Sequence, residues 1–168
     1  DIGIGMVHQH FMLIQPFTVT ENIILGMEPT KGLTIDKETA KEKVMELSER
    51  YGMKVDPDAK VEDISVGMQQ RVEILKVLYR GAEKLILDEP TAALDPIAEN
   101  EIYNHFNSFV ENKTAIYISH RLSSCAFCDE IAVFDNAELV ETGTHNELVS
   151  ANGKYAELWN AQAGYYLE

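Results

Sequence analysis

Three short apolar segments, each followed at once by polar residues, constrain the fold of this chain more than any other feature of its sequence. They cover residues 4–7, 85–87 and 115–118, and the polar residues after them include Gln9, Asp88, Glu89 and His120. Such segments are typical of strands buried on both faces of a parallel sheet, and helical patterns separate them, as strand-helix-strand connections require. Because the carboxyl ends of parallel strands open on one crevice, the sequence predicts an α/β fold whose polar residues meet at one sheet edge.

The stretches between the apolar segments carry signals for helix ends. Asp36 is a suitable N-cap for a helix over residues 37–51, which Gly52 would close. Apolar spacing predicts a second helix over residues 67–80, whereas residues 27–34 break the pattern. A third helix is predicted to start at Pro96, with apolar positions at Ile97, Ile102, Phe106 and Phe109.

The residues after His120 follow a different pattern. Two short strands over residues 130–134 and 138–142 predict a hairpin, and Thr144 is placed to cap a short helix over residues 145–150. Helical spacing continues over residues 155–166. The chain is therefore expected to end in a hairpin and two helices.

Two adjacent carboxylates, Asp88 and Glu89, follow the second apolar segment. Strands that end in Asp-Glu are common, so the pair alone does not define a site. Two acids at such an edge can divide the work of phosphoanhydride hydrolysis, one organising Mg²⁺ through water and the other polarising the attacking water. The run Pro90-Thr91-Ala92-Ala93-Leu94-Asp95 that follows favours this functional interpretation.

The composition of the chain argues for a single globular domain and against nucleic-acid-binding and membrane-spanning proteins. The chain has 168 residues, of which 45% are hydrophobic and 25% charged, and this suits one globular core. Its formal charge of -14 argues against a nucleic-acid partner, because phosphate backbones are bound by clustered Lys and Arg. No stretch approaches the about 18 apolar residues of a membrane-spanning helix, so we expect a soluble chain.

The chain has two cysteines, Cys125 and Cys128, which form a single Cys-x-x-Cys. One interpretation is a metal site together with His120. The other is packing in a short helix, which is favoured because one such pair lacks the second half that zinc needs. So few cysteines point to a reducing cytosol.

Five motifs in a fixed order resemble the nucleotide-binding cassette of ABC transporters. Gln9 lies in a segment similar to the Q-loop, residues 64–71 resemble the Leu-Ser-Gly-Gly-Gln signature, and residues 84–89 resemble the Walker B strand. Residues 93–95 look like the D-loop, and residues 118–122 look like the switch-histidine segment. The resemblance implies a three-layer α/β P-loop NTPase core over residues 1–168, with a helical signature subdomain at residues 20–82.

The resemblance also implies catalytic roles. Asp88 would hold Mg²⁺ through its water shell, and Glu89 would act as the general base. Gln9 would sense the metal and the attacking water, and His120 would contact the γ-phosphate of ATP. The expected activity is ATP hydrolysis coupled to solute transport across a membrane.

Other matching residues imply partners. Ser65 and Gly67 would begin a helix whose N-terminus faces the ATP bound by a second cassette, in a head-to-tail dimer, and Asp95 would lie between the two cassettes. Gln9 would also link the chain to a transmembrane transporter subunit. The expected location is the cytoplasmic face of the plasma membrane.

Departures from the family pattern leave two functions open. No Gly-x-x-x-x-Gly-Lys-Ser/Thr motif, the phosphate-binding loop called Walker A, occurs in these 168 residues. We therefore expect the cassette to be truncated at the N-terminus and ATP to bind very weakly. Val66 also replaces the first Gly of the signature, and Met68 replaces its Gln. The chain is then either the energising ATPase subunit of a transporter or a non-catalytic remnant that pairs with an intact cassette.

The two parts of the chain resemble different groups within the family. Up to the Walker B strand the motifs resemble importers of simple sugars and nucleosides, whereas from Pro96 onward they look like those of an exporter. Both groups share the segment Leu-Asp-Glu-Pro-Thr-Ala, residues 87–92, and we interpret residues 85–96 as a seam between two joined genes. The direction of transport stays open.

Overall fold

The computed structural model describes residues 3–92, 94, 99, 102, 106, 110 and 113–164. The chain divides into two units, residues 1–118 and residues 119–168. The first unit contains, in chain order, β1 (Ile4–Val7), α1 (Val19–Ile24), β2 (Thr30–Lys31), β3 (Thr34–Ile35), α2 (Lys37–Arg50), α3 (Val66–Tyr79), β4 (Lys84–Asp88) and β5 (Thr114–Ile118). Among the described helices, none is long and apolar enough to cross a bilayer.

The three predicted apolar segments form one parallel sheet, in which β4 lies between β1 and β5. Val7 of β1 pairs with Leu87, and Asp88 pairs with Ile118 of β5. Successive strand side chains point to opposite faces of a sheet. Leu85 and Leu87 are therefore buried on one face, whereas Ile118 on the other face is 47% exposed.

Helix α3 covers the buried face of the sheet, and one glycine allows its close approach. A Cβ at Gly5 of β1 would lie 2.2 Å from Cγ1 of Val77 and 2.7 Å from Cβ of Ala82. These distances are too short for any side chain, so the strand requires glycine there. Buried residues of the three helices complete the core around the strands, among them Ile23, Val44, Val72, Leu75 and Leu78.

The helices α1, α2 and α3 each begin at a side chain that accepts a backbone hydrogen bond. Thr18 caps α1, Asp36 caps α2 and Ser65 caps α3. The carboxylate of Glu21 also accepts from the Thr18 N–H, and this bond is the main cause that lowers the pKa of Glu21. The predictions of α2 and α3 are confirmed, and each helix ends one residue before its predicted limit.

The break predicted over residues 27–34 contains a minimal hairpin. Thr30 pairs with Ile35 and Lys31 pairs with Thr34, in antiparallel register. Gly32 has a φ of +67° in the turn between them. The sequence did not predict these strands, because two residues are too few to show an alternating pattern.

The predicted third helix falls largely on residues that the structure does not describe. Pro96, Ile97 and Phe109 lie outside the described residues. Ile102 and Phe106 are described, and both are buried in the core of the first unit. The ring of Phe106 contacts the ring of Tyr117 edge to face, with centroids 5.6 Å apart.

The second unit contains a 3-10 turn (Leu122–Ser124), β6 (Ile131–Asp135), β7 (Glu138–Gly143), α4 (His145–Ala151) and α5 (Lys154–Gly164). The strands β6 and β7 form the predicted antiparallel hairpin. Thr144 caps α4 as predicted and shares a capping box with Glu147. The carboxylate of Glu141 in β7 accepts from the N–H groups of Lys154 (2.9 Å) and Tyr155 (2.8 Å), at the first turn of α5.

The two cysteines lie in one turn after residue 124. The N–H of Cys128 donates to the C=O of Cys125 at 3.0 Å, and Cys125 is buried while Cys128 is half-buried. Burial raises the pKa of both thiols, and that of Cys128 rises to about 11. Within the described part of the chain, no group of three or more His, Cys, Asp or Glu side chains is placed to hold a metal ion.

Candidate active site

The parallel register of β1 and β4 places Gln9 opposite Glu89. Val7 pairs with Leu87 at the carboxyl ends of these strands, and the residues two positions further along each segment are Gln9 and Glu89. Nε2 of Gln9 donates a hydrogen bond to Oε2 of Glu89 at 3.3 Å. The structure thus brings together two of the predicted catalytic residues at the sheet edge.

The backbone turns sharply at Glu89. Its φ of +44° lies in the left-handed region, which is uncommon for a residue with a side chain. The N–H of Glu89 donates to the C=O of Ile118 at 2.9 Å, and its C=O accepts from the N–H of Ala92 at 3.1 Å. These bonds hold Glu89 in a strained conformation, as is found at many functional sites.

The turn after the two carboxylates is closed by Thr91. Thr91 is 2% exposed, and its Oγ1 donates to Oε1 of Glu99 at 2.8 Å. The C=O of Thr91 accepts from the N–H of Leu94 at 3.0 Å. A buried, bonded Thr91 restricts how far the backbone after Glu89 can move.

The donor set at this edge suits a magnesium ion. Asp88 is the last residue of β4, and Asp88, Glu89 and Gln9 offer carboxylate and amide oxygens, the ligand type that Mg²⁺ prefers. The hydrogen bond to Glu89 uses Nε2 of Gln9 and not its Oε1. Because Mg²⁺ commonly takes one or two carboxylates and completes its shell with water and phosphate oxygens, these residues fit the ion.

Ser65 and Gly67 stand at the start of α3, a different element. Oγ of Ser65 accepts from the N–H of Met68 at 3.4 Å, so Ser65 is the N-cap of the helix. Gly67 is its second residue, and Val66 between them is 44% exposed. The first N–H groups of a helix have no partner within it, which suits them to bind an anion.

His120 lies two residues after β5 and belongs to the second unit. Its C=O accepts from Nε2 of Gln162 at 2.6 Å, and Oε1 of Gln162 accepts from the N–H of Leu122 at 2.9 Å. Gln162 of α5 therefore fixes the backbone on both sides of Arg121. Asp95, the residue predicted to lie between two cassettes, is outside the described residues.

Sequence reasoning missed the polar residues that hold the segment after Gln9. Asn22 of α1 is 1% exposed and bonds both backbone groups of Ile14, at 2.7 and 3.1 Å. Glu73 of α3 is 5% exposed and accepts from the N–H of Met12 at 2.5 Å. The available signal was a polar residue among buried apolar neighbours on a helix, which indicates a specific partner.

Comparison with known proteins assigns this arrangement to a family. The model of the ABC transporter family matches residues 1–92. The nucleoside import ATP-binding protein NupA of Lactococcus lactis is 56% identical over 144 residues, which cover 84% of this chain and 28% of that protein. The guanosine import ATP-binding protein NupO of Bacillus subtilis is 51% identical over 144 residues, which again cover 84% of this chain and 28% of that protein. Each match covers 84% of the 168 residues, which is more than the first 96 residues could supply. Both matches therefore include residues after 96.

A solved structure shows the same fold. A bacterial Atm1-family ABC exporter with ATP bound matches with a TM-score of 0.71 and 30% identity, over 96% of this chain and 29% of that chain. The chain spans less than a third of the length of these relatives. The region that the family model matches contains Gln9, Asp88 and Glu89, whose parallel strand ends meet at one sheet edge. The chain therefore belongs to the ABC transporter family and has the α/β P-loop NTPase fold of its ATP-binding proteins.

Proposed function

We propose that this chain is part of an ATP-hydrolysing subunit that drives the import of nucleosides. The observation that carries the proposal is the hydrogen bond between Gln9 and Glu89 across the ends of β1 and β4. It holds a carboxylate at the edge where α/β proteins bind their ligands. The import of nucleosides is proposed from the two relatives, whose names describe nucleoside and guanosine import.

The residues at the sheet edge divide the work of hydrolysis. Glu89 accepts the proton of the water that attacks the γ-phosphate of ATP, and Gln9 orients that water and the Glu89 carboxylate. His120 donates a hydrogen bond to an oxygen of the γ-phosphate. Asp88 would hold Mg²⁺ through water, and the bound ion would neutralise charge on the phosphates.

The proposed partners are a second cassette and a membrane subunit. The N-terminal amides of α3, next to Ser65 and Gly67, bind the γ-phosphate of ATP held by the second cassette, in a head-to-tail dimer. The segment after Gln9 contacts a transmembrane subunit, which keeps the chain at the cytoplasmic face of the plasma membrane.

Calorimetric titration with Mg-ATP tests this proposal. The purified chain is compared with a version that carries a grafted Walker A segment, called the grafted chain below. We expect the grafted chain to bind and hydrolyse ATP, and the native chain to bind it far more weakly. A grafted chain that binds ATP without hydrolysing it would support the non-catalytic alternative. A grafted chain that does not bind ATP would contradict both the proposed ATP binding and the proposed hydrolysis.

Substitution of the metal residue sharpens the test. Asp88→Asn in the grafted chain should raise the Mg²⁺ concentration needed for half-maximal hydrolysis, because a carboxylate that orients the ion's water shell is lost. Asp129→Asn is the matched control, since Asp129 is an exposed acid of the second unit. An equal Mg²⁺ requirement in both variants would remove Asp88 from the metal site.

A further inference from the structure

We infer that Glu73 and Lys76 are positioning residues that fix the backbone next to Gln9 to helix α3. This inference rests on the proposed function, in which Gln9 orients the attacking water and α3 presents its N-terminus to a nucleotide. The segment concerned is the Gln9 loop, residues 8–17, which joins β1 to the N-cap of α1 and has no regular secondary structure.

Two side chains of α3 bind both backbone groups of one residue in this loop. Oε1 of Glu73 accepts from the N–H of Met12 at 2.5 Å, and Nζ of Lys76 donates to the C=O of Met12 at 2.9 Å. Nζ of Lys76 also lies 3.9 Å from Oε2 of Glu73. The N–H of Met12 therefore meets a negative charge and its C=O meets a positive charge, and charged partners make the stronger hydrogen bonds.

Met12 is held by its backbone and not by its side chain. Met12 is 65% exposed, so apolar packing contributes little to its position. Two residues later, Asn22 of α1 binds both backbone groups of Ile14 in the same manner. Side chains of α1 and α3 thus satisfy backbone groups of the Gln9 loop, which has no regular secondary structure to satisfy them.

The burial of the two charges indicates a specific task. The side chain of Glu73 is 7% exposed and that of Lys76 is 15% exposed, whereas their neighbours Ile74 and Leu75 belong to the apolar core. A buried carboxylate is unfavourable unless it is paired and hydrogen-bonded. Here the two charges are directed at each other and at the Gln9 loop.

These contacts connect the N-terminus of α3 with Gln9 over a short distance. Met12 is three residues from Gln9, and Glu73 is eight residues from Ser65, about 12 Å along the helix. Because a helix moves as a rigid element, a displacement of the N-terminus of α3 carries Met12 with it. The position of Gln9 beside Glu89 is therefore set in part by the position of α3.

Nuclear magnetic resonance of the purified chain tests this connection without nucleotide. The readouts are the side-chain amide signals of Gln9 and the hydrogen-exchange rate of the Met12 amide. In Glu73→Ala and Lys76→Met we expect the Gln9 amide signals to shift and the Met12 amide to exchange roughly tenfold faster, as loss of a charged hydrogen bond implies. Glu73→Gln keeps an acceptor for the Met12 N–H and should restore most of the protection.

The second unit offers a matched control pair. Lys154 and Glu157 have the same spacing on α5, lie 3.5 Å apart, and are more exposed than the pair on α3. Lys154→Met and Glu157→Ala should leave both readouts at their native values. A merely stabilising role of Glu73 would not shift the Gln9 amide signals.

Unchanged Gln9 signals and unchanged Met12 exchange in Lys76→Met would overturn the inference. Equal changes in Glu157→Ala would overturn it as well. Where either variant does not fold, the double variant Glu73→Gln with Lys76→Met decides, since it removes both charges and leaves no unpaired buried carboxylate. Failure of the grafted chain to bind Mg-ATP would remove the proposed function without altering these results, so the two failures are distinguishable.

Discussion

At the scale of single residues, the strained backbone of Glu89 yields a prediction about stability. Its φ of +44° is unfavourable for any residue with a Cβ and accessible to glycine. Glu89→Gly should therefore be more stable to denaturant than Glu89→Ala by about 1 kcal/mol, because both lose the carboxylate and only alanine keeps the strain.

The same pair of substitutions in a regular helix gives the control. At Glu46, in the middle of α2, the alanine variant should be the more stable by about 1 kcal/mol, since glycine disfavours helix. Equal stability of the two Glu89 variants would show that the left-handed conformation carries no strain.

Residues on strand ends were predictable from the sequence, and residues in contact across loops were not. Gln9 and Glu89 could be placed together because apolar segments of a parallel sheet bring their carboxyl ends to one edge. Glu73 and Lys76 bond to a loop more than sixty positions away in the chain. No periodicity within a helix encodes such a partner, so only the structure shows it.

At the scale of elements, the turn between β6 and β7 is suboptimal. Asn136 and Ala137 have φ values of +50° and +64°, as a two-residue hairpin turn requires, and alanine is strained there. Ala137→Gly should raise the free energy of unfolding by about 1 kcal/mol, measured by chemical denaturation. Ala156→Gly, at a buried position of α5, should lower it, and a destabilising Ala137→Gly would contradict the assigned turn.

The cysteine turn predicts how stability depends on pH. The thiol of Cys128 has a pKa of about 11 in the folded chain, raised from 9.0 by burial first and then by Cys125 and Asp129. The unfolded chain therefore releases this proton at lower pH. Stability from the protonated thiol is complete below pH 9.0 and is lost as the pH rises toward about 11.

Thermal unfolding between neutral pH and pH 11 checks this expectation. The melting temperature of the native chain should fall further over this pH range than that of Cys128→Ser, because the serine hydroxyl does not titrate there. Some decline should persist in the variant, because burial raises the pKa of Tyr155 to about 12. Identical pH profiles would mean that the Cys128 thiol is not buried as described.

Helix caps explain why the elements were largely predictable. Asp36 and Thr144 were identified from the sequence as N-caps, because their side chains satisfy amides that the helix itself cannot. The pair of two-residue strands around Gly32 was missed, since a strand that short has no recognisable pattern. The presence of a helix or strand can therefore be predicted from its cap and residue pattern when the element is long enough to have one.

At the scale of the whole molecule, we propose that residues 85–96 mark a seam between two joined genes. The support is that motifs before this segment resemble importers and motifs after it resemble exporters. The matches to importers include residues after 96, so they do not mark a seam by themselves. The proposed seam depends on the exporter-like motifs that follow Pro96. Long unbroken genomic reads should show a junction in this segment, and a single reading frame that encodes an importer throughout would contradict it.

In the proposed mechanism, Glu89, held by Gln9 at the sheet edge, is the general base for ATP hydrolysis. The most direct measurement is the rate of phosphate release by the grafted chain and by its Glu89→Gln and Glu62→Gln variants. We predict that Glu89→Gln lowers this rate by about 10² to 10⁴ and leaves the affinity for Mg-ATP unchanged. Glu62 is an exposed acid that precedes α3, and Glu62→Gln should change neither value. A Glu89→Gln variant that hydrolyses ATP at the native rate would contradict this role of Glu89.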